Sequence, residues 1–183
     1  MFYKRVLMNT AGKYSGFVHI VLVACAALFC GCIESPYYQK QHAVPQNSWD
    51  YKYMPTFEFE VTDTTSLYNV YFLMRHTEAY PFANIWMNIY TKQPGDTAFS
   101  KQRVTVPLAA TAGPNNGQWL GRGMGGIWEH KLRITHEGDT AILRKKGKYT
   151  FKFEQNMRIN PLPEVLQVGL RIEREKARTF REQ

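Results

Sequence analysis

Three thiols sit close together near the start of this 183-residue chain: Cys25, Cys30 and Cys32 fall within eight residues, and no cysteine follows. Such a cluster can ligate zinc, but four ligands are needed and no later group of cysteines and histidines completes them, so no metal site is expected. The other histidines point the same way. His130 shares the apolar parity of Trp128–Ile134, as a hydrogen-bonded core or rim residue would; His136 and the pair His76 and Glu78 supply no third convergent ligand. Glu58 and Glu60, two apart on one strand face, could line a glycosidase cleft, although outward acids on a half-buried strand usually serve only solvation. A serine elbow, a metallopeptidase motif and a nucleophilic cysteine beyond Cys32 are all missing, so the expectation is no enzyme and no cofactor. Gly121–Gly126 is rich in glycine like a phosphate loop, yet no Lys-Ser or Lys-Thr and no helical period follow it. A nucleic-acid surface would alternate basic residues with exposed aromatics; Arg144–Lys148 has no aromatic and is expected to be a solvated hairpin turn, and the basic residues of Arg171–Arg181 are interspersed with Glu173 and Glu175.

A thiol can also be acylated, and the residues before Cys32 suit that chemistry. Phe17–Gly31 is a fifteen-residue run, apolar except for His19, behind Lys4, Arg5 and Lys13 with no acid among them. Basic start, short apolar stretch and small residue at a cut site form the layout of an export signal. The run is short for a spanning helix, so an uncleaved single-pass anchor is the lesser alternative. Phe29-Cys-Gly-Cys32 resembles a bacterial lipobox, in which cleavage leaves a lipid-bearing cysteine first. Cys25 also fits, but cutting there would leave Ala26–Phe29 as exposed apolar residues, so Cys32 is the expected attachment site. Two or more palmitate-class chains give stable anchoring, where one alone is reversible. Residues 1–31 are thus read as signal peptide and 32–47, with two prolines and no apolar period, as an extended tether. Tyr37 and Tyr38 either lie at the headgroups or mark where the domain begins.

The elements that follow are strands. Aromatics make up 14% of the chain, enough to demand a folded core, and from Thr56 onward apolar residues recur at every second position. Phe57–Val61, Leu67–Arg75, Ile85–Tyr90, Phe99–Val106, Trp128–Ile134, Tyr149–Glu154 and Leu166–Glu173 are the predicted strands. The second is apolar on both parities and belongs in the middle of a sheet; the fourth is basic and belongs at an edge. Turns are expected at Thr62–Ser66 and Gln93–Asp96. Residues 48–176 are therefore predicted to be one all-β domain, a two-sheet antiparallel β-sandwich of jelly-roll or immunoglobulin-like type, with 177–183 a frayed charged tail. After Cys32 the balance is 20 basic against 15 acidic residues, too even to name a partner.

One segment is too long for an ordinary connection. Leu108–Gly126 holds Trp119, Arg122 and Met124 among its glycines. Trp119 and Met124 are expected to pack it against the end of the sandwich, and Trp119, Arg122 and Met124 are the candidate partner-binding residues.

The sequence resembles the GldH family, the gliding-motility-associated lipoproteins of the Bacteroidota. The similar stretches are Trp49-Asp-Tyr-Lys52, Asp63–Arg75, Tyr80-Pro-Phe-Ala-Asn84, Gly117–Gly126 and Val168–Glu173, in the expected order. The resemblance implies a small noncatalytic lipoprotein of the cell envelope on the periplasmic side. Its implied role is to support gliding and the type IX secretion machinery through contacts with other lipoproteins and membrane subunits. It carries over no catalytic residues. The alternative function is a glycan-binding lipoprotein using Trp86, Tyr90 and Trp119 as sugar platforms, with a hydrolase built on Glu58 or Glu60 third.

Overall fold

The computed structural model describes residues 35–134 and 143–175; the export signal, Cys32, His136 and the charged tail lie outside the described residues. The chain divides into Met1–Ser35 and Pro36–Gln183, and the second unit is the two-sheet antiparallel β-sandwich predicted from the strand periodicity.

Strands are numbered in chain order. One sheet runs β1 (Tyr38–Ala43), β11 (Val165–Arg174), β4 (Tyr68–Thr77), β8 (Ile127–Arg133) and β7 (Arg122–Met124). The other runs β3 (Thr56–Val61), β9 (Gly147–Gln155), β5 (Asn84–Lys92) and β6 (Ser100–Pro107), and a two-residue pairing joins β2 (Ser48–Trp49) to β10 (Leu162–Pro163). Every pairing is antiparallel, yet β3, β4 and β5 alternate between sheets, as do β8, β9 and β11. Successive strands therefore close the sandwich over one core instead of building a flat meander.

Alternation decides which side chains fill that core. Phe57, Phe59 and Val61 point inward from β3 while Glu58 and Glu60 point out, and β9 repeats the pattern with Tyr149, Phe151 and Phe153. Phe153 meets Phe72 of the facing sheet edge to face at 5.2 Å and Phe57 of its own sheet at 5.2 Å. β4 is central and β6 lies at an edge, as their compositions predict. The Thr62–Ser66 turn is held by Asp63, whose carboxylate accepts from the Ser66 hydroxyl and from the Thr65 hydroxyl and amide. In β11 a register shift between Val165 and Gln167 interrupts the alternation, leaving Val168, Leu170 and Ile172 buried.

Three expectations need correction. Tyr38–Ala43, read as tether, is β1, hydrogen-bonded along β11 from Tyr38 opposite Ile172 to Ala43 opposite Gln167. Its amphipathic inward groups, Tyr38 and His42, hide the alternation that aliphatic residues would display. Tyr37 marks where the domain begins, its hydroxyl donating to the Glu60 carbonyl at 2.9 Å. Arg144–Lys148 is not a hairpin turn, because β8 and β9 belong to different sheets; it leads the chain from one sheet to the other. Met124 does not pack inward; it sits on the short edge strand β7 and is 87% exposed.

Gly169 of β11 shows how closely the outer face of the five-stranded sheet is overlaid. A Cβ there would fall 2.6 Å from Gln41 Cγ and 2.8 Å from the Lys40 carbonyl oxygen of β1. The backbone oxygen cannot rotate away, so Gly169→Ala is expected to cost about 1–3 kcal/mol, read as a lower urea midpoint at unchanged slope.

Candidate functional site: the loop and hairpin at the far end

Tyr37 enters at the end of the sandwich where Val61 pairs with Gly147 and Tyr38 with Ile172. Nine residues of β9 separate that end from the other, roughly 25 Å at the strand rise of about 3.3 Å per residue. The long connection and the β7–β8 hairpin both lie at the other end, beyond Thr77 of β4.

The connection is ordered by its own backbone. Leu108 and Ala109 amides both donate to the Ala83 carbonyl, at 2.8 and 2.9 Å, fixing where it leaves β6. It then folds back on itself: the Ala110 amide donates to Gln118 O, Gly117 to Ala110 O and Leu120 to Leu108 O, each at 2.8 Å. That doubling places Ala109 opposite Trp119 and turns the indole onto the sheet.

Trp119 is an internal support. Its ring meets His76 edge-on at 4.5 Å and lies 6.2 Å from Tyr80 and 6.4 Å from both Trp128 and His130. Gly121 follows, and only a glycine fits: a Cβ would lie 2.5 Å from the Glu129 carbonyl oxygen and 2.9 Å from the His130 ring. Close approach at Gly121 lets the chain run alongside β8 as β7. Gly125 and Gly126, at φ +61° and +77°, then form the two-residue turn back, a geometry matched to the twist of a tight hairpin. The Glu78 amide donates to Gly126 O at 2.9 Å and ties the turn to the end of β4.

Under Trp119 lies a buried histidine pair, His76 and His130, 0% and 1% exposed. The Thr77 carbonyl can only accept, so His76 Nδ1–H donates to it at 2.6 Å and His76 Nε2 carries the lone pair. His130 Nε2–H donates into that lone pair at 2.9 Å, with the rings stacked 4.9 Å apart. Both rings are held neutral. Burial pushes the His76 pKa down against the pull of its Thr77 bond, and burial together with the neighbouring His76 lowers His130 to about 4. Because the folded pKa of His130 lies below its ordinary value near 6.5, stability is full above pH 6.5. It is lost as pH falls towards 4, by about 3 kcal/mol for this group. Thermal melts from pH 7.5 to 4 should show that fall, and His130→Gln, neutral throughout, should flatten it.

What the support displays is a small exposed patch: Leu120 is 57% exposed, Met124 87%, and Arg122 is open beside them. Arg122 and Leu120 also border a groove of about 590 Å³ on the outer face of the five-stranded sheet, with Gln39, Gln41, Lys131 and Arg171 on its other walls. Leu120 was not among the sequence candidates. The sequence signal for β7 was the Gly-Gly pair flanked by Met124 and Ile127, a two-residue hairpin turn.

Other candidates lie apart. Trp86 and Tyr90 occupy the outer face of the four-stranded sheet, so the structure does not bring them together with Trp119 as one sugar platform. The Tyr90 hydroxyl donates to Glu154 at 2.7 Å. Glu58 pairs with Lys148 at 2.8 Å on the same outer face. Among the described residues no group of three or more His, Cys, Asp or Glu could hold a metal ion.

The family model described as GldH lipoprotein matches residues 36–172, which takes in every strand from β1 to all but the end of β11. A gliding motility lipoprotein GldH homolog of Christiangramia forsetii is 25% identical over 170 residues, covering 87% of this chain and 97% of the relative. The gliding motility lipoprotein GldH of Flavobacterium johnsoniae is 27% identical over 160 residues, covering 84% and 94%. Among solved structures, a carbohydrate-binding module specific for non-crystalline cellulose aligns at TM-score 0.41 and 9% identity over 75% of this chain and 73% of that one. The VP2 subviral particle of infectious bursal disease virus aligns at TM-score 0.29 and 14% identity over 74% and 30%.

Proposed function

This chain belongs to the GldH lipoprotein family, and from that membership we propose that it is a gliding-motility lipoprotein acting through protein contacts made at the far end of its sandwich. The observation that carries the reading is the pairing of a built support with an exposed tip. Trp119 and the histidine pair hold the β7–β8 hairpin from beneath, while Leu120, Arg122 and Met124 stand in solvent. Methionine and arginine are residue types enriched where proteins meet, and a hairpin backbone already held in place loses little freedom on binding.

The anchor belongs to the same reading. Acylation at Cys32 ties the chain to a bilayer of the cell envelope, on the periplasmic side, and Tyr37 leads from that anchor into the end of the sandwich opposite the hairpin. The tip is the surface that would meet other lipoproteins and membrane subunits of the gliding and type IX secretion machinery. Intact-mass measurement of the mature protein should find a chain beginning at Cys32 and carrying fatty acyl groups. Affinity purification of the tagged, full-length protein from solubilised membranes, followed by mass spectrometry, tests the partnership. Recovery of envelope proteins from that machinery is expected, and recovery of the bait alone at native expression would defeat the reading.

A further inference from the structure

A second pocket lies at the same far end but on the outer face of the other sheet. It has a volume of about 400 Å³, within the size range of small-molecule sites, and is lined by Phe82, Asn84, Trp86, Arg103, Asn156 and Arg158, with Met157 behind them. Trp86 is 37% exposed, and the Arg103 guanidinium stacks on its indole at 4.6 Å. A guanidinium held over a ring in this way can still grip a carboxylate through two parallel hydrogen bonds.

Among the described residues no carboxylate takes that position. Among the described residues neither Arg103 nor Arg158 forms an ion pair. Glu154, in register with Arg103 across Asn88, already accepts from Asn88 at 2.8 Å and Tyr90 at 2.7 Å and lies 3.8 Å from Lys101. Two guanidinium groups thus share one small concavity with two side-chain amides and two aromatic rings.

We propose that this pocket binds the carboxylate-bearing ring of an acidic saccharide. Arg103 and Arg158 would take the carboxylate. Asn84 and Asn156, each both donor and acceptor, would suit the hydroxyls beside it, and Phe82 and Trp86 would cover the apolar ring face. Two other sources of an anion fit less well. An extended acidic peptide would use backbone pairing; the Trp86 amide and carbonyl are already taken, by Met157 Sδ at 3.1 Å and the Asn156 amide at 2.8 Å, so it could pair only along the edge strand β6, and it offers no ring for Phe82 and Trp86 to cover. A phospholipid headgroup carries no carboxylate-bearing ring for Phe82 and Trp86 to cover.

Calorimetric titration of the full-length protein in detergent micelles with trigalacturonate tests the assignment. Saturable binding is expected, weakened at least tenfold when the carboxyls are methyl-esterified and at least tenfold in Arg103→Gln with Arg158→Gln, both exposed positions. Hexaglutamate should bind at least tenfold more weakly than trigalacturonate. Absence of saturation, equal affinity for acid and ester, undiminished binding by the double variant, or hexaglutamate matching the saccharide would each overturn it.

Discussion

Exchanging Leu120 and Met124 for aspartate and Arg122 for glutamate is expected to abolish recovery of partner proteins while leaving the fold intact. All three side chains are exposed, two of them apolar, and none contributes to the core. Surface changes of this kind usually move stability by no more than about 0.5 kcal/mol. Their effect on a contact is another matter. If each residue carries one to two kcal/mol of binding, the ordinary range for an interface anchor, losing them together weakens association by roughly a hundredfold or more, and the added acids oppose any partner selected by Arg122. Quantitative mass spectrometry of the purified complex, beside a thermal melt, checks both halves. A variant that melts normally and still recovers its partners would place the contact elsewhere on the molecule.

Trp119→Ala should fail differently. The indole rests on His76, Tyr80, Trp128 and His130, and its removal leaves a cavity under the hairpin. Truncating a large aromatic in such a setting costs about 3–5 kcal/mol; with Trp119 only partly buried, about 3 kcal/mol is expected, a drop in the denaturant midpoint. Water reaching the histidine pair would also raise the His130 pKa from about 4 towards its ordinary value, so the acid-induced loss of stability should become shallower. Partner recovery falls too, but here because the hairpin has lost its floor. Stability and acid response moving together in Trp119→Ala, and neither moving in the tip variant, would separate the support from the surface it holds. A normal melt for Trp119→Ala would remove the indole from that supporting role.

How much of this was legible in the residues depended on the side chains involved. Strands that bury aliphatic or aromatic groups on one parity, such as Phe57–Val61 and Tyr149–Glu154, declared themselves by period alone. β1 did not, because Tyr38 and His42 bury apolar bodies while counting as polar. The sheet crossing at Arg144–Lys148 was mistaken for a hairpin because a basic Gly-containing run looks the same whether its flanking strands pair or part. In the long connection Trp119 and Met124 were both expected to pack against the end of the sandwich; Trp119 does so and Met124 does not. Trp119 faces inward and Met124 outward, and the reason is the backbone doubling between Ala110 and Gln118, which nothing in the residue types announces. The histidine pair was likewise hidden. His76 and His130 are 54 positions apart, and only the β4–β8 register, with Met74 opposite His130 and His76 opposite Trp128, brings their rings together.

The most direct test of a lipid-anchored domain that meets its partners with the end of the sandwich opposite Tyr37 is photo-crosslinking in living cells. A photoreactive residue is introduced in place of Met124 in one strain and in place of Glu58, on the outer face of the other sheet, in a second. Adducts to another envelope protein from position 124 and none from position 58 are the predicted result. Adducts from position 58 with none from position 124 would contradict it.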